Sequence, residues 1–391
     1  MTSYQILMLL SGLVILSYMF DLLAGRTKLP SVLLLLFLGI GLKALTNYFG
    51  WVTFDFQRIL PALGSLGLIL IVFECALELK YDKEKNKLIK QTFFSALIIL
   101  LGTSLIITII LNLLTGADLH RCFMSSIPFS VISSSIAIPS SAVLEKPRRE
   151  FIIYESSFSD IIGIILFNFA LSNEQLTIGS FAGLGGEIIL IGVIAFLSCL
   201  LLLYIMGRVQ HHVKFFLIIS ILILIYSLGQ QYHLSSLIIV LAFGLFLSNA
   251  DEIRLPVFQK YFYYPQHPKD LEQLLQLSAE SAFIIRTFFF VLFGFTMDVK
   301  ELGNLAVIQK GLLIIAGIYI VRFVYLKIWL KKSIFPEVLI TPRGLISILL
   351  YYHLPENYRI PGVETGLLFL VILSTCLIMS MGLLTARKQA A

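Results

Sequence analysis

Charge is scarce in this chain. Only 13% of its 391 residues are Asp, Glu, Lys or Arg, against roughly 25% in a soluble globular domain, which argues against a water-soluble enzyme. Cysteine is scarce too: Cys75, Cys122, Cys199 and Cys376 stand singly in apolar runs. With no CxxC pair and no histidine at metal-ligand spacing, they read as packing residues, and no cofactor is expected. Long polar segments are missing. The longest, Asn249 to Gln273, is a cytoplasmic linker (250–273) too short to fold as a soluble domain. Its stretch Phe258–Tyr264 sets Lys260 among aromatics, a pattern that suits anchoring at a lipid interface better than nucleic acid, which is set aside. Also absent is the short alternating pattern of a membrane β-barrel. The first apolar run, Ile6 to Leu23, has no basic residue before it and no small-residue cleavage site after it, so it is kept as a span rather than a signal peptide.

What fills the chain instead is apolar sequence. The hydrophobic class makes up 58% of it, in runs of about twenty residues that each cross a hydrocarbon layer as a helix. Thirteen spans are expected, near 5–24, 31–49, 60–79, 91–115, 121–144, 151–172, 179–206, 213–230, 234–249, 274–298, 304–330, 335–353 and 364–386. The fold class is therefore an all-α polytopic membrane protein, a single membrane domain over 1–390. Most of the 29 lysines and arginines fall in alternate connections, including Arg26 and Lys28, Lys80 to Lys90, Lys146 to Arg149, and Arg387 and Lys388. Lys43, Arg58, Arg121, Lys300, Lys310 and Arg359 fall on the other side. The positive-inside rule then puts the N-terminus outside and the C-terminus in the cytoplasm of a plasma membrane, the bacterial inner membrane being the expected one.

Ionisable residues inside spans are costly, about 2.5–3.5 kcal/mol each at the bilayer centre. Those well inside are Glu74, Glu155, Asp160, Arg286 and Arg343, with Glu280 and Arg322 as further members. Five unpaired groups would cost roughly 15 kcal/mol, as much as a whole domain's stability, so they must converge on one another or on water. The sharpest cluster runs from Tyr154 to Asp160. Ser156 and Asp160, four apart, stack on one helix face with Ser159 beside them. A carboxylate among hydroxyls is hard-oxygen chemistry suited to a small hydrated cation; the alternative is a structural acid paired with an arginine.

Two proline breaks stand out. Ser133, Ser134, Ser135, Pro139, Ser140 and Ser141 interrupt the fifth span, and Thr341-Pro342-Arg343-Gly344 the twelfth. Freed carbonyls and hydroxyls at that depth form an ion site facing a cavity, or else a kinked helix whose serines bond back to their own carbonyls. Spans 91–172 and 304–386 each place a broken helix in the middle, and the charge-based orientation makes them antiparallel. That is an inverted-repeat arrangement with two crossing discontinuous helices. Arg343 at the crossing would compensate a helix C-terminus or pair with Glu155.

Five stretches resemble the monovalent cation:proton antiporter superfamily, in particular its electroneutral sodium/proton exchangers. They are Thr27-Lys28-Leu29-Pro30-Ser31, Phe73-Glu74-Cys75-Ala76-Leu77-Glu78-Leu79, Glu155 to Asp160, Ile285-Arg286-Thr287-Phe288-Phe289-Phe290-Val291, and Pro342-Arg343-Gly344-Leu345-Ile346. The chain departs from the family in having Ala137-Ile138-Pro139 where Thr-Asp-Pro is usual, and Ser159 where Asn or Asp precedes the main aspartate. The resemblance implies that Asp160 carries cation and proton, that Ser156 is a cation ligand, and that Glu155 pairs with Arg286 or Arg343; Ser159 and Glu155 are counted with Asp160 and Ser156 in the ion-binding, proton-carrying set. It also implies that spans 91–172 and 304–386 form a mobile core against a dimerisation scaffold, in a homodimer.

The expected function is secondary active exchange of Na+ or K+ for H+ by alternating access, one for one, with lipid as the surroundings and no enzymatic step. With Ser159 unable to supply a second carboxylate, exchange should be electroneutral. A conductive cation pathway or sensor on the same fold is the alternative; an enzyme acting on lipid-linked sugars fits poorly with outer loops as short as Ser172–Leu176 and Gln230–His233. Glu74, Ser140 and Ser141 are placed along a cavity, and Glu280 near a funnel. His211 and His212 read as a solvated pair, and His353 and Glu356 as solvated groups near the outer mouth.

Overall fold

The computed structural model describes residues 3–27, 29–49, 60–79, 83–173, 178–208, 215–231, 236–252, 267–297, 299–330 and 334–390. The helices are α1 (Ser3–Thr27), α2 (Ser31–Tyr48), α3 (Leu60–Glu78), α4 (Asn86–Thr115), α5 (Leu119–Ser130), α6 (Ser134–Ser140), α7 (Lys146–Ser172), α8 (Ile178–Arg208), α9 (Phe215–Gln231), α10 (Ser236–Ser248), α11 (His267–Thr296), α12 (Leu305–Leu330), α13 (Leu345–His353) and α14 (Thr365–Ala390). No strand occurs among the described residues. Every expected span has its helix, two of them interrupted. Among the described residues, six spans are long and apolar enough to cross a membrane by length and composition alone: Ser31–Tyr48, Asn86–Thr115, Leu119–Val143, Lys269–Thr296, Leu305–Ile328 and Thr365–Thr385. Large apolar side chains face outward in stripes, such as Leu105, Ile109 and Leu113 on α4, or Ile189, Val193, Leu197 and Leu201 on α8. Such a surface is stable only against lipid. His211 and His212, and most of the 250–273 linker, lie outside the described residues.

The chain divides into two compact units. One holds residues 1–65, 88–163 and 284–391, the other 66–87 and 164–283. In the second unit α10 packs on α8 and α9. There Gly244 gives α10 a smooth face against α3, since a Cβ would stand 2.6 Å from the Ala76 Cβ. The Ser248 hydroxyl also donates to the Ala76 carbonyl at 3.3 Å.

The first unit contains both interrupted spans. Its connections follow local rules: α4 ends at Asn112-Leu113-Leu114-Thr115, and Gly116 takes a left-handed φ of 65° and returns its N–H to the Asn112 carbonyl at 2.8 Å. Asp118 then caps α5 by accepting from the His120 N–H at 3.0 Å. Helices α2 and α11 cross with almost nothing between them, because a Cβ on Gly39 would lie 2.1 Å from the Val291 carbonyl oxygen and one on Gly294 2.3 Å from that of Leu36. Near this crossing the Lys43 ammonium donates to the Met297 carbonyl at 2.6 Å and to that of Thr296 at 3.4 Å, closing the C-terminus of α11.

Candidate functional site

The fifth span stops being helical at Val131-Ile132-Ser133 and restarts as the seven-residue α6, followed by a 3-10 turn at Ser141–Val143. The twelfth runs through turns and extended chain from 334 to 344 before α13 begins. The two breaks touch: the Ser133 N–H donates to the Pro342 carbonyl at 2.9 Å. Gly344 is required for this approach, since a Cβ there would stand 2.7 Å from the Ser133 Oγ and 2.6 Å from Ile136 Cδ1. The break expected at Pro139 falls instead at Val131-Ile132-Ser133, with Pro139 carried inside α6, and it is this earlier break that meets the one at Pro342.

Several freed backbone groups at the crossing are met by side chains. Pro139 has no N–H, so the Ser135 carbonyl one turn earlier loses its helical donor; Arg286 on α11 supplies one at 3.3 Å. At the other edge, fully buried Arg343 donates from Nε to the Phe129 carbonyl at 2.6 Å and from Nη2 to the Ser130 carbonyl at 3.3 Å. Its Nη1 reaches the Thr341 carbonyl at 2.9 Å and the Thr341 hydroxyl. The guanidinium therefore closes the C-terminus of α5 and balances its negative partial charge.

Helix α7 presents two buried carboxylates. Glu155 is 1% exposed; its Oε1 accepts from the Ser95 hydroxyl at 2.6 Å and its Oε2 from Arg322 Nη2 at 2.7 Å. The partner expected for Glu155 was Arg286 or Arg343, and the structure corrects this: those two arginines serve the break's carbonyls, and Arg322 on α12 makes the pair. Both Glu155 oxygens are thereby engaged, which makes it a clasp among α4, α7 and α12 rather than an ion ligand. Arg322 Nε also donates to the Glu337 carbonyl at 3.0 Å, and the Glu337 carboxylate meets Arg148 Nε at 3.3 Å.

Asp160 lies five residues on, about 140° around the helix, and faces the first break. It is 3% exposed. Its Oδ2 accepts from the Ser134 N–H at 3.2 Å, while Oδ1 is buried with no hydrogen-bond partner. Ser159 caps the break, its Oγ accepting from the Ile132 N–H at 2.9 Å. The Ser156 hydroxyl, one turn before Asp160, donates back to the Ile152 carbonyl at 2.8 Å. Gly163, next on that face, lets Val131 approach, with a Cβ there 2.4 Å from a Val131 methyl.

A cleft of about 250 Å³ opens beside the break, lined by Asp21, Ser31, Ser135, Pro139, Ser140 and neighbouring apolar groups. Ser140 stands in that lining as expected. Ser141 does not; it is buried and donates to the Ile138 carbonyl at 2.7 Å. Glu74 is half-buried on α3 and is no part of the lining. Glu280, His353 and Glu356 are exposed. The residues that sequence reading passed over are Ser95 and Asp21, and it gave Arg322 no partner. The signal for Arg322 was its position deep in the apolar run of α12, where an unpaired guanidinium would be prohibitive.

The arrangement can offer one unsatisfied carboxylate oxygen to a small cation or a proton. A family model described as "Sodium/hydrogen exchanger, transmembrane" matches residues 11–385. A solved structure of the sodium proton antiporter from Methanocaldococcus jannaschii at pH 8 superposes with a TM-score of 0.73 at 21% identity, covering 97% of this chain and 100% of the other. An electron-microscopy structure of that antiporter gives a TM-score of 0.67 at 18% identity, over 100% of this chain and 97% of the other. These likenesses are of fold. No curated protein sequence matches the chain.

Proposed function

Because the chain belongs to the sodium/hydrogen exchanger family, we propose that Asp160 is the single group on which Na+ or K+ and H+ compete. The observation that carries this reading is the buried Oδ1 without a partner. A desolvated carboxylate oxygen left bare costs several kcal/mol, of the order assigned to an unpaired buried charge, and either a proton or a dehydrated cation removes that cost. The two guests occupy the same lone pairs and exclude one another. Ser156 supplies a second oxygen to the cation; Ser159 and the Ser134 N–H hold the break against α7.

Exchange follows when the site can change its facing only with Asp160 neutralised. Glu155 carries its own counter-charge in Arg322, so the moving site holds one positive guest whichever guest it is. One cation then leaves for each proton that enters, without net charge transfer. In this reading spans 91–172 and 304–386 move as the core, the remaining spans form the scaffold of a homodimer, and the N-terminus lies outside a bacterial inner membrane.

The test is exchange in proteoliposomes carrying a pH-sensitive dye, across Na+, K+ and Li+, with and without an imposed voltage. Asp160→Asn is expected to abolish cation-dependent proton movement, and acidifying the cation side is expected to raise the apparent KM for the cation. Wild-type rates that follow the voltage would end the one-for-one reading; current without coupled proton movement would replace exchange by conduction.

A further inference from the structure

The cleft beside the first break holds a charge that the exchange chemistry does not use. Its lining contains one carboxylate, Asp21 on α1, and three hydroxyl groups, Ser31, Ser135 and Ser140; the remaining lining residues are apolar. Asp21 is exposed to the cleft rather than packed away. The Ser31 hydroxyl donates to its Oδ1 at 3.1 Å, which orients the carboxylate, and among the described residues no lysine or arginine forms an ion pair with it. The cleft wall then leads inward. Ser135 is the neighbour of Ser134, whose N–H holds Asp160, and the Ser135 hydroxyl stands 2.9 Å from that of Ser133 at the crossing.

A negative group in a concave site with apolar walls focuses its field into the opening and raises the local concentration of cations. Its donor set is hard oxygen throughout, which suits an alkali cation keeping part of its water. The geometry points to a waiting site: Asp21, steadied by Ser31, collects the monovalent cation at the cleft and delivers it along the serine wall to Asp160. This rests on the exchange reading above. Asp21 is a positioning residue here, because the cation it gathers is exchanged elsewhere.

The experiment compares wild type, Asp21→Asn and Asp21→Glu in oriented proteoliposomes, with Na+ presented on one side at a time. At low ionic strength Asp21→Asn is expected to raise the apparent KM on the cleft side about threefold, leaving the maximal rate and the opposite-side KM unchanged. Asp21→Glu should restore the wild-type KM. Adding an impermeant salt should close the gap between wild type and Asp21→Asn by screening. A wild-type KM for Asp21→Asn, a gap indifferent to salt, or a rise equal on both sides overturns the proposal. Should Asp21→Asn fail to fold, the wild-type cleft-side KM decides: it must rise with ionic strength, and a flat response overturns the waiting site. Failure of the exchange reading is separate, since it would show as Asp160→Asn retaining exchange whatever Asp21 does.

Discussion

Glu155 and Asp160 are both carboxylates, both buried, and one and a half turns apart on α7, yet their surroundings are opposite. Glu155 has a hydroxyl on one oxygen and a guanidinium on the other. Asp160 has only Ser134, whose N–H donates to one oxygen and whose hydroxyl lies close to the carboxyl, and its Oδ1 is without a partner. Side chains of the same chemistry are thus sorted by what the neighbouring spans bring to them. The satisfied acid fastens helices; the half-satisfied one is left able to take a guest. An intramembrane acid by itself says only that one of these two is present.

The contrast is open to test by stability. The largest loss is expected for Arg322→Ala, which strands Glu155: about 3–5 kcal/mol, read as a fall in the thermal midpoint of purified protein. Replacing both partners, Glu155→Leu with Arg322→Met, should recover most of that loss, and a double variant no better than Arg322→Ala would show that the clasp does not act as a pair. Next is Gly344→Ala, which pushes a methyl into Ser133 and Ile136 and is expected to cost about 1–3 kcal/mol and to slow exchange as the breaks separate. Ser159→Ala should cost about 1–2 kcal/mol by leaving the buried Ile132 N–H without an acceptor. The smallest loss is expected for Asp160→Asn: below about 1 kcal/mol, or a gain, because little native bonding is lost and an unpaired buried charge is removed. A fall as large as that of Arg322→Ala would mean that Asp160 is a structural acid.

Much of this was legible from the chain. Pro342 announced the break in the twelfth span and the serine run the one in the fifth, though that break falls at Val131–Ser133, ahead of Pro139; a helix in lipid tolerates missing hydrogen bonds only where other groups replace them. The four-residue spacing of Ser156 and Asp160 placed them on one face. The choice among Arg286, Arg322 and Arg343 for Glu155 was not legible. Arg322 is 167 residues from Glu155, and which guanidinium reaches it depends on how α4, α7 and α12 are turned toward one another. Likewise, that Arg286 answers Pro139 becomes visible only once the Ser135 carbonyl is seen to face it. Local spacing reports what shares a face, while the partner across a gap is a tertiary property.

Lys43 bears on a different kind of reckoning. Its ammonium lies on the carbonyls of Thr296 and Met297, and Lys310 likewise donates to the Gly362 carbonyl at 3.1 Å. Two of the few basic residues on the sparsely charged side are therefore bound up in closing backbone, each held by the fold. Substituting either lysine is therefore expected to loosen the backbone it holds, the end of α11 for Lys43 and the turn before α14 for Lys310.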